Sequence, residues 1–113
     1  MEVRLVQLLG SFITTTTGYV LARLEFAMRH PEAPAPPLID RLPDASEMTL
    51  HTRWDVVERQ LEAARRFVKS QDDARGKRAV YDASFAHLQR TIRELEQYGR
   101  AVRWVMTVED GRR

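Results

Sequence analysis

Two runs of apolar residues, spaced alternately by three and four positions, dominate the second half of the chain. The first run is Leu50, Trp54, Val57, Leu61, Ala64 and Val68. The second run is Tyr81, Phe85, Leu88, Ile92 and Leu95, and it can be continued through Gly99 to Val102 and Met106. The positions between these residues are mostly charged, which is the pattern of a helix that buries one face. The spacing therefore predicts two amphipathic helices with matching apolar faces.

A short polar segment, SQDDARGK, separates the two predicted helices. Its serine, aspartates and glycine favour a turn. Two helices with matching faces and a short joint should fold back on each other, so residues 44–113 are expected to form an antiparallel hairpin. Asp44 and Glu47 fit a capping box that would open the first helix. Each run covers only about three heptads, so a long coiled coil is not expected.

The stretch that follows, residues 100–108, fits two structures. Val102, Trp104, Met106 and Val108 alternate as in a strand, whereas the same residues also suit a continued helix. We favour a helix that continues to about Thr107 and ends at the sequence Glu-Asp-Gly. Short strands at the two termini, which would give an α+β protein, are the minor alternative.

All five prolines of the chain lie within residues 30–43. Proline fixes φ and removes a backbone donor, so this segment should be extended rather than helical. At about 3.1 Å per residue, a dozen positions span roughly 40 Å. The segment, called the strap below, could therefore carry the chain along the full length of a neighbouring helix.

The segment LVQLLGSFITTTTGYVLA, residues 5–22, carries no charge in a chain whose charged fraction is 30%. As a membrane span it has the shortest workable length, and its threonines, glycines and glutamine dilute its hydrophobicity. Its β-branched and aromatic residues also suit a pair of strands. We favour a helix over residues 1–29 that packs against protein, with a membrane anchor second and strands third.

The apolar arc of this first helix is wider than one contact face requires. Leu9 and Phe12 lie on one stripe, and Ile13 and Val20 lie on a neighbouring stripe. A three-helix unit covers only one of the two stripes, so the remaining strip would be exposed in a monomer and favour association. We therefore predict a protein partner interface at Leu9, Phe12, Ile13 and Val20.

Charge is distributed unevenly along the chain. The formal net charge is +2, but residues 51–113 hold fourteen Lys and Arg against ten acids. Five cations gather near the predicted hairpin turn and are candidate phosphate contacts: Arg65, Arg66, Lys69, Lys77 and Arg78. Asp72 and Asp73 lie inside this cluster and weaken its field. Nucleic-acid binding is therefore an alternative function that is not favoured over protein binding.

The residues with catalytic or ligating chemistry are sparse. There is no cysteine, and the five glycines form no phosphate-binding loop. His51 and Asp55 could be two metal ligands on one helical face, but no third ligand shares that face. Ser84 and His87 could be a nucleophile and its base, but no acidic residue is placed to orient His87. We therefore expect no enzyme, no catalytic residue, no metal and no cofactor.

The sequence thus predicts one all-α domain, made of an N-terminal apolar helix (1–29), the strap (30–43) and a helical hairpin (44–113). The expected function is that of a non-catalytic interaction or assembly subunit of a larger complex or particle, such as a phage-like one. Its partner would be another protein or a second copy. A cytoplasmic or virion-associated location is favoured, and a membrane subunit anchored through residues 5–22 is the further alternative.

Overall fold

Three helices account for most of the chain. The computed structural model describes residues 2–39, 49–76 and 82–111. Helix α1 spans Glu2–Arg29, α2 spans Leu50–Arg75 and α3 spans Ala83–Gly111. The described ranges contain no strand, so the all-α prediction is confirmed and the α+β alternative is wrong.

Helices α1 and α3 run antiparallel. Near one end of the pair, the guanidinium of Arg4 lies 5.1 Å from the ring centre of Trp104. Near the other end, Glu25 lies 3.5 Å from His87. The first turns of α1 therefore lie beside the last turns of α3.

Helices α2 and α3 also run antiparallel, as the hairpin prediction requires. Arg103 donates to Glu58 at 2.7 Å, and Arg65 donates to Glu96 at 2.7 Å. The start of α2 therefore lies beside the end of α3. Since α3 is antiparallel to both other helices, α1 and α2 are parallel to each other.

One apolar core lies between the three helices, and the sequence-predicted faces of α2 and α3 contribute most of it. Phe12 of α1 meets Trp54 of α2 edge to face at 5.1 Å, and Phe26 meets Phe67 in the same way at 5.8 Å. The buried apolar residues of the core include Phe12, Tyr19, Ala22, Phe26, Trp54, Val57, Leu61, Ala64, Phe85, Leu88, Ile92, Leu95, Val102 and Met106. Burial of this apolar surface is the main stabilising contribution.

The backbones of α1 and α3 approach each other most closely. These two helices also carry small buried side chains: Thr16 and Ala22 in α1, and Ser84 and Thr91 in α3. The hydroxyl of Thr16 donates to the carbonyl of Phe12, and that of Thr91 donates to the carbonyl of Leu88. These buried polar groups are therefore satisfied within their own helices.

The strap runs back along α1 from its C-terminal end. The Arg23 Nε–H donates to the carbonyl of Pro36 at 2.7 Å, and the Tyr19 hydroxyl donates to the carbonyl of Pro37 at 2.6 Å. Ile39 is buried in the core. The extended strap thus returns the chain toward the start of α1, where the parallel α2 can begin. Residues 40–48 lie outside the described ranges.

The helix ends differ from the sequence expectations in three places. Helix α2 continues to Arg75, so Ser70, Asp72 and Asp73 of the expected turn are helical. Thr49 is the N-cap of α2, and its side chain accepts from the N–H of Thr52. The capping box at Asp44 and Glu47 was therefore the wrong start for this helix, and both residues lie outside the described ranges. At the other end of the chain, α3 continues to Gly111 rather than ending near Thr107.

Candidate interaction surfaces

The side of α1 that faces away from the core carries no charge over six turns. We call this side the outward face. Its ten exposed residues are Val6, Gly10, Ile13, Thr14, Thr17, Val20, Leu21, Leu24, Ala27 and Met28. Met28 is 82% exposed and Val6 is 65% exposed. An exposed helix side normally carries charged residues, so an uninterrupted neutral strip of this length indicates an interaction surface.

The two threonines of the outward face do not offer free donors. The hydroxyl of Thr14 donates to the carbonyl of Gly10 at 3.0 Å, and that of Thr17 donates to the carbonyl of Ile13 at 3.2 Å. Because the hydroxyls bond back to the helix, the methyl groups are left for contact with a partner. The strip is therefore more apolar than its composition implies.

The four residues predicted as a partner interface separate in the structure. Ile13 and Val20 lie on the outward face, each 38% exposed. Leu9 is half-buried and packs against the core. Phe12 is fully buried against Trp54, so its assignment to a partner interface was wrong. The stripe that carries Phe12 faces the core because its aromatic rings pack against α2. The stripe that carries Ile13 and Val20 is therefore left on the outside.

Sequence reasoning missed three large residues of the outward face, namely Val6, Leu21 and Met28. One signal could have found the strip, because Val6, Ile13, Val20 and Ala27 recur at intervals of seven. A seven-residue apolar repeat is the mark of a face that packs against another helix.

Helix α1 also meets the length and composition of a membrane span between Arg4 and Arg29, and it is the one described helix that does. Only 22% of its most apolar window is buried. The inward face is nevertheless bound to the rest of the chain through Phe12, Phe26 and Tyr19. Complete insertion of α1 into lipid would require these contacts to break.

The candidate phosphate contacts near the α2–α3 turn are mostly paired with carboxylates. The pairs are Arg65 with Glu96 at 2.7 Å, Arg66 with Glu62 at 2.7 Å and Lys69 with Asp73 at 3.6 Å. The hydrogen bond to Glu96 raises the pKa of Arg65 above its ordinary value. Lys77 and Arg78 lie outside the described residues. Three of the five candidate phosphate contacts therefore already have carboxylate partners within the chain.

A polar cluster joins the C-terminal end of α1 to the start of α3. Asp82 caps α3: its Oδ1 accepts from the Ser84 hydroxyl at 2.7 Å and from the N–H groups of Ser84 and Phe85. Its Oδ2 lies 2.5 Å from Nε2 of His30. Partial burial alone would raise the pKa of Asp82, but the hydrogen bonds from Ser84 and Phe85 and the charge of His30 lower it. The cluster is a structural connection between two helix ends.

The sequence-predicted pairs of chemical groups are not assembled into reactive sites. Ser84 is buried and donates to Asp82 rather than to His87, which lies 3.5 Å from Glu25. Asp55 accepts a hydrogen bond from Arg103 at 2.7 Å. Within residues 2–39, 49–76 and 82–111, no group of three histidine, cysteine or acidic side chains could hold a metal ion.

Comparison of the chain with known protein families, with curated proteins and with solved structures gave no match.

Proposed function

We propose that this chain is a non-catalytic assembly subunit that pairs with a second copy of itself through the outward face of α1. The observation that carries the proposal is the neutral strip from Val6 to Met28 on an otherwise highly charged protein. Arg4 and Arg23 lie outside the strip, and Glu25 and Arg29 border it beside Leu21, Leu24 and Met28.

The neutrality of the outward face favours a second copy over a charged partner. A charged partner would lose hydration on contact without gaining an opposite charge in return. An uncharged apolar strip gains most from another uncharged apolar strip, and a second α1 supplies one of identical length. Such a pairing is also the usual arrangement of soluble homo-oligomers, in which one patch contacts itself across a twofold axis.

The spacing within the strip suits helix pairing. Val6, Gly10, Ile13, Thr17, Val20, Leu24 and Ala27 follow each other at alternating intervals of four and three. This is the a/d pattern by which one helix fits its side chains between those of another. Gly10 and Ala27 are small, so two α1 backbones can come close at these positions.

The size of the strip predicts a reversible dimer. It is about 33 Å long and about 10 Å wide, so its footprint of roughly 330 Å² is smaller than the roughly 800 Å² per partner of a standard interface. We therefore expect a dissociation constant in the micromolar range rather than an obligate dimer.

Sedimentation velocity without detergent tests the pairing between about 1 µM and about 200 µM, which brackets micromolar affinity. The wild-type chain should shift from monomer to dimer across this range. The double variant Ile13→Glu with Val20→Glu should stay monomeric, because pairing would bury four glutamates, while its helical circular dichroism is unchanged. The matched control Ala86→Glu with Gln97→Glu adds the same charge to exposed positions of α3 and should dimerise normally.

Because the chain has no cysteine, a single introduced thiol can locate the contact. Thr17 lies midway along the strip, so Thr17→Cys should form a disulfide-linked dimer under mild oxidation in either orientation of two α1 helices. Lys69→Cys, on the exposed side of α2, should remain unlinked. A wild-type chain that is monomeric at the highest concentration overturns the proposal, as does cross-linking of both variants alike.

A membrane anchor is the second candidate, favoured by the length and composition of α1. It predicts that the wild-type chain floats with phosphatidylcholine vesicles in a density gradient and that the Ile13→Glu, Val20→Glu variant does not. Flotation of the wild type together with a monomeric state in solution would replace the dimer proposal with this one.

A further inference from the structure

Three arginines form a row on the side of α3 that faces away from the core. Arg90, Arg93 and Arg100 are all exposed, whereas Leu88 and Leu95 of the same helix are fully buried. The row spans about 15 Å along the helix axis. We call it the arginine row.

The arginine row differs from the other cations in having no partner. None of its three side chains makes an ion pair or hydrogen bond within the described part of the chain. Five other cations contrast with it, since Arg29, Arg65, Arg66, Lys69 and Arg103 all bind carboxylates. Guanidinium groups without intramolecular partners are available to bind anions from solution.

An exposed indole continues the arginine row by one helical turn. Trp104 follows Arg100 at an interval of four and is 57% exposed. The Arg4 guanidinium lies over its ring at 5.1 Å, which adds a fourth cation at this end. The second tryptophan of the chain, Trp54, is fully buried. The surface thus combines cations with one large aromatic ring that solvent can reach.

The net charge of this surface is positive. Glu94 is the exposed carboxylate on the same side of α3, and it stands against four arginines. Glu96 is a second carboxylate that borders the row, and it accepts from Arg65 of α2. A polyanion laid along the row would therefore meet mostly favourable charges.

We infer that the arginine row and Trp104 bind single-stranded nucleic acid, with the guanidiniums on phosphates and the indole stacked on a base. Cations that follow the backbone and an aromatic ring that stacks on a base are the two elements of such surfaces. An anionic membrane fits less well, because the described outward side of α3 offers only one apolar side chain larger than alanine beside Trp104, the half-buried Val108. An acidic protein would use the arginines but would gain nothing specific from an accessible indole.

This inference is independent of α1 pairing, because the residues involved are different. It also differs from the sequence expectation, which placed candidate phosphate contacts near the α2–α3 turn, among them Arg65, Arg66 and Lys69. Those cations are paired with carboxylates, and the cations of the arginine row are not.

Fluorescence anisotropy with a labelled oligothymidylate and an oligouridylate of about 15 nucleotides tests the binding. Three phosphate contacts give a slope of about −2 in log affinity against log salt, so affinity should fall about twenty-fold between about 50 mM and about 200 mM salt. The triple variant Arg90→Gln, Arg93→Gln, Arg100→Gln should lose this binding and its salt dependence. The matched control Arg65→Gln, Arg66→Gln, Lys69→Gln removes as much positive charge and should bind like the wild type.

Tryptophan emission tests the stacking contact separately. Oligonucleotide should quench the wild-type emission, and Trp104→Leu should abolish the quenching because Trp54 is buried. Loss of affinity in the Arg65, Arg66, Lys69 variant rather than in the arginine-row variant would overturn the inference. So would the absence of salt-dependent binding, or binding to vesicles of phosphatidylglycerol and phosphatidylcholine but not to the oligonucleotides.

Discussion

At the residue scale, the hydroxyl of Tyr19 connects α1 to the strap. The hydroxyl donates to the carbonyl of Pro37 at 2.6 Å, beside the hydrogen bond from Arg23 to Pro36. Burial raises the pKa of Tyr19 to about 12, and the positive charge of Arg23 offsets part of this rise. The hydroxyl therefore stays protonated and remains a donor at neutral pH.

We predict that Tyr19→Phe lowers the free energy of unfolding by about 1 kcal/mol, because the carbonyl of Pro37 loses its donor while the ring still fills the core. Urea denaturation measures the change. Tyr98→Phe is the matched control: its hydroxyl has no hydrogen-bond partner among the described residues, so its removal should cost close to nothing. Equal effects of the two substitutions would contradict this role for Tyr19.

Sequence reasoning has a clear limit at this scale. The pattern of α1 identified two apolar stripes, but it assigned residues of both stripes, including Phe12, to the partner interface. Phe12 turned inward because Trp54 of a distant segment provides its partner ring. The hydrogen bond from Tyr19 to Pro37 was equally invisible, since it depends on how the strap returns along α1.

At the scale of elements, Gly99 determines how closely α2 and α3 pack. It is buried in the middle of α3, and a Cβ atom there would lie 3.3 Å from Cδ1 of Leu61 and 3.6 Å from Cζ2 of Trp54. Gly18 of α1 has no such neighbour within 4 Å. Because Gly99 has no side chain, Leu61 and Trp54 of α2 can pack close to the backbone of α3 at this position.

We predict that Gly18→Ala raises the free energy of unfolding by about 0.5–1 kcal/mol, as expected for a helix interior. Gly99→Ala should not produce this gain, because the new methyl group crowds Leu61 and Trp54. Thermal and urea unfolding of the two variants, compared with the wild type, measure the difference. Equal stabilisation by both substitutions would show that α2 yields easily at this point.

The helices themselves were predictable because each buries one face with a regular period. The antiparallel hairpin and the extended strap followed from the spacing of apolar residues and prolines. Two helix boundaries, the end of α3 and the start of α2, did not follow from the sequence. Gly99 weakened the expected continuation of α3, although the glycine is a packing feature and the helix continues to Gly111. The start of α2 depends on a threonine cap that local sequence did not distinguish from the earlier Asp44 and Glu47.

At the scale of the whole molecule, Asp82 makes stability depend on acid pH. Its pKa is lower in the folded protein than in the unfolded chain, because Ser84, Phe85 and His30 favour the carboxylate. A group with a lowered folded-state pKa stabilises the fold above its unfolded pKa of about 3.9. That contribution is lost as the pH falls through the folded-state pKa.

We therefore predict that the free energy of unfolding decreases below about pH 4 and that Asp82→Asn flattens part of this decrease. Asparagine can still cap α3 but cannot titrate. Urea denaturation of both proteins at a series of pH values from neutral to acid gives the comparison. Parallel profiles for the two proteins would mean that other carboxylates cause the acid sensitivity.

The two candidate surfaces show the same division between what a sequence reveals and what it does not. The neutral strip on α1 was partly predictable, since Ile13 and Val20 belong to a stripe that one bundle cannot cover. The arginine row on α3 was not predictable, because an arginine is available to a ligand only if no carboxylate reaches it. Arg65 finds Glu96 on another helix, whereas Arg93 and Arg100 find no such partner in the described ranges.

The contact between Arg4 and Trp104 has a mechanical consequence. It brings the first turn of α1 and a late turn of α3 to the same pole of the bundle. A force that pulls these two ends apart therefore acts across the α1–α3 pair in an unzipping direction. The contacts between the two helices are then loaded one turn at a time, beginning with Arg4 and Trp104. A tether attached at this pole would open the bundle more easily than one attached at opposite poles, where the helices must slide past each other.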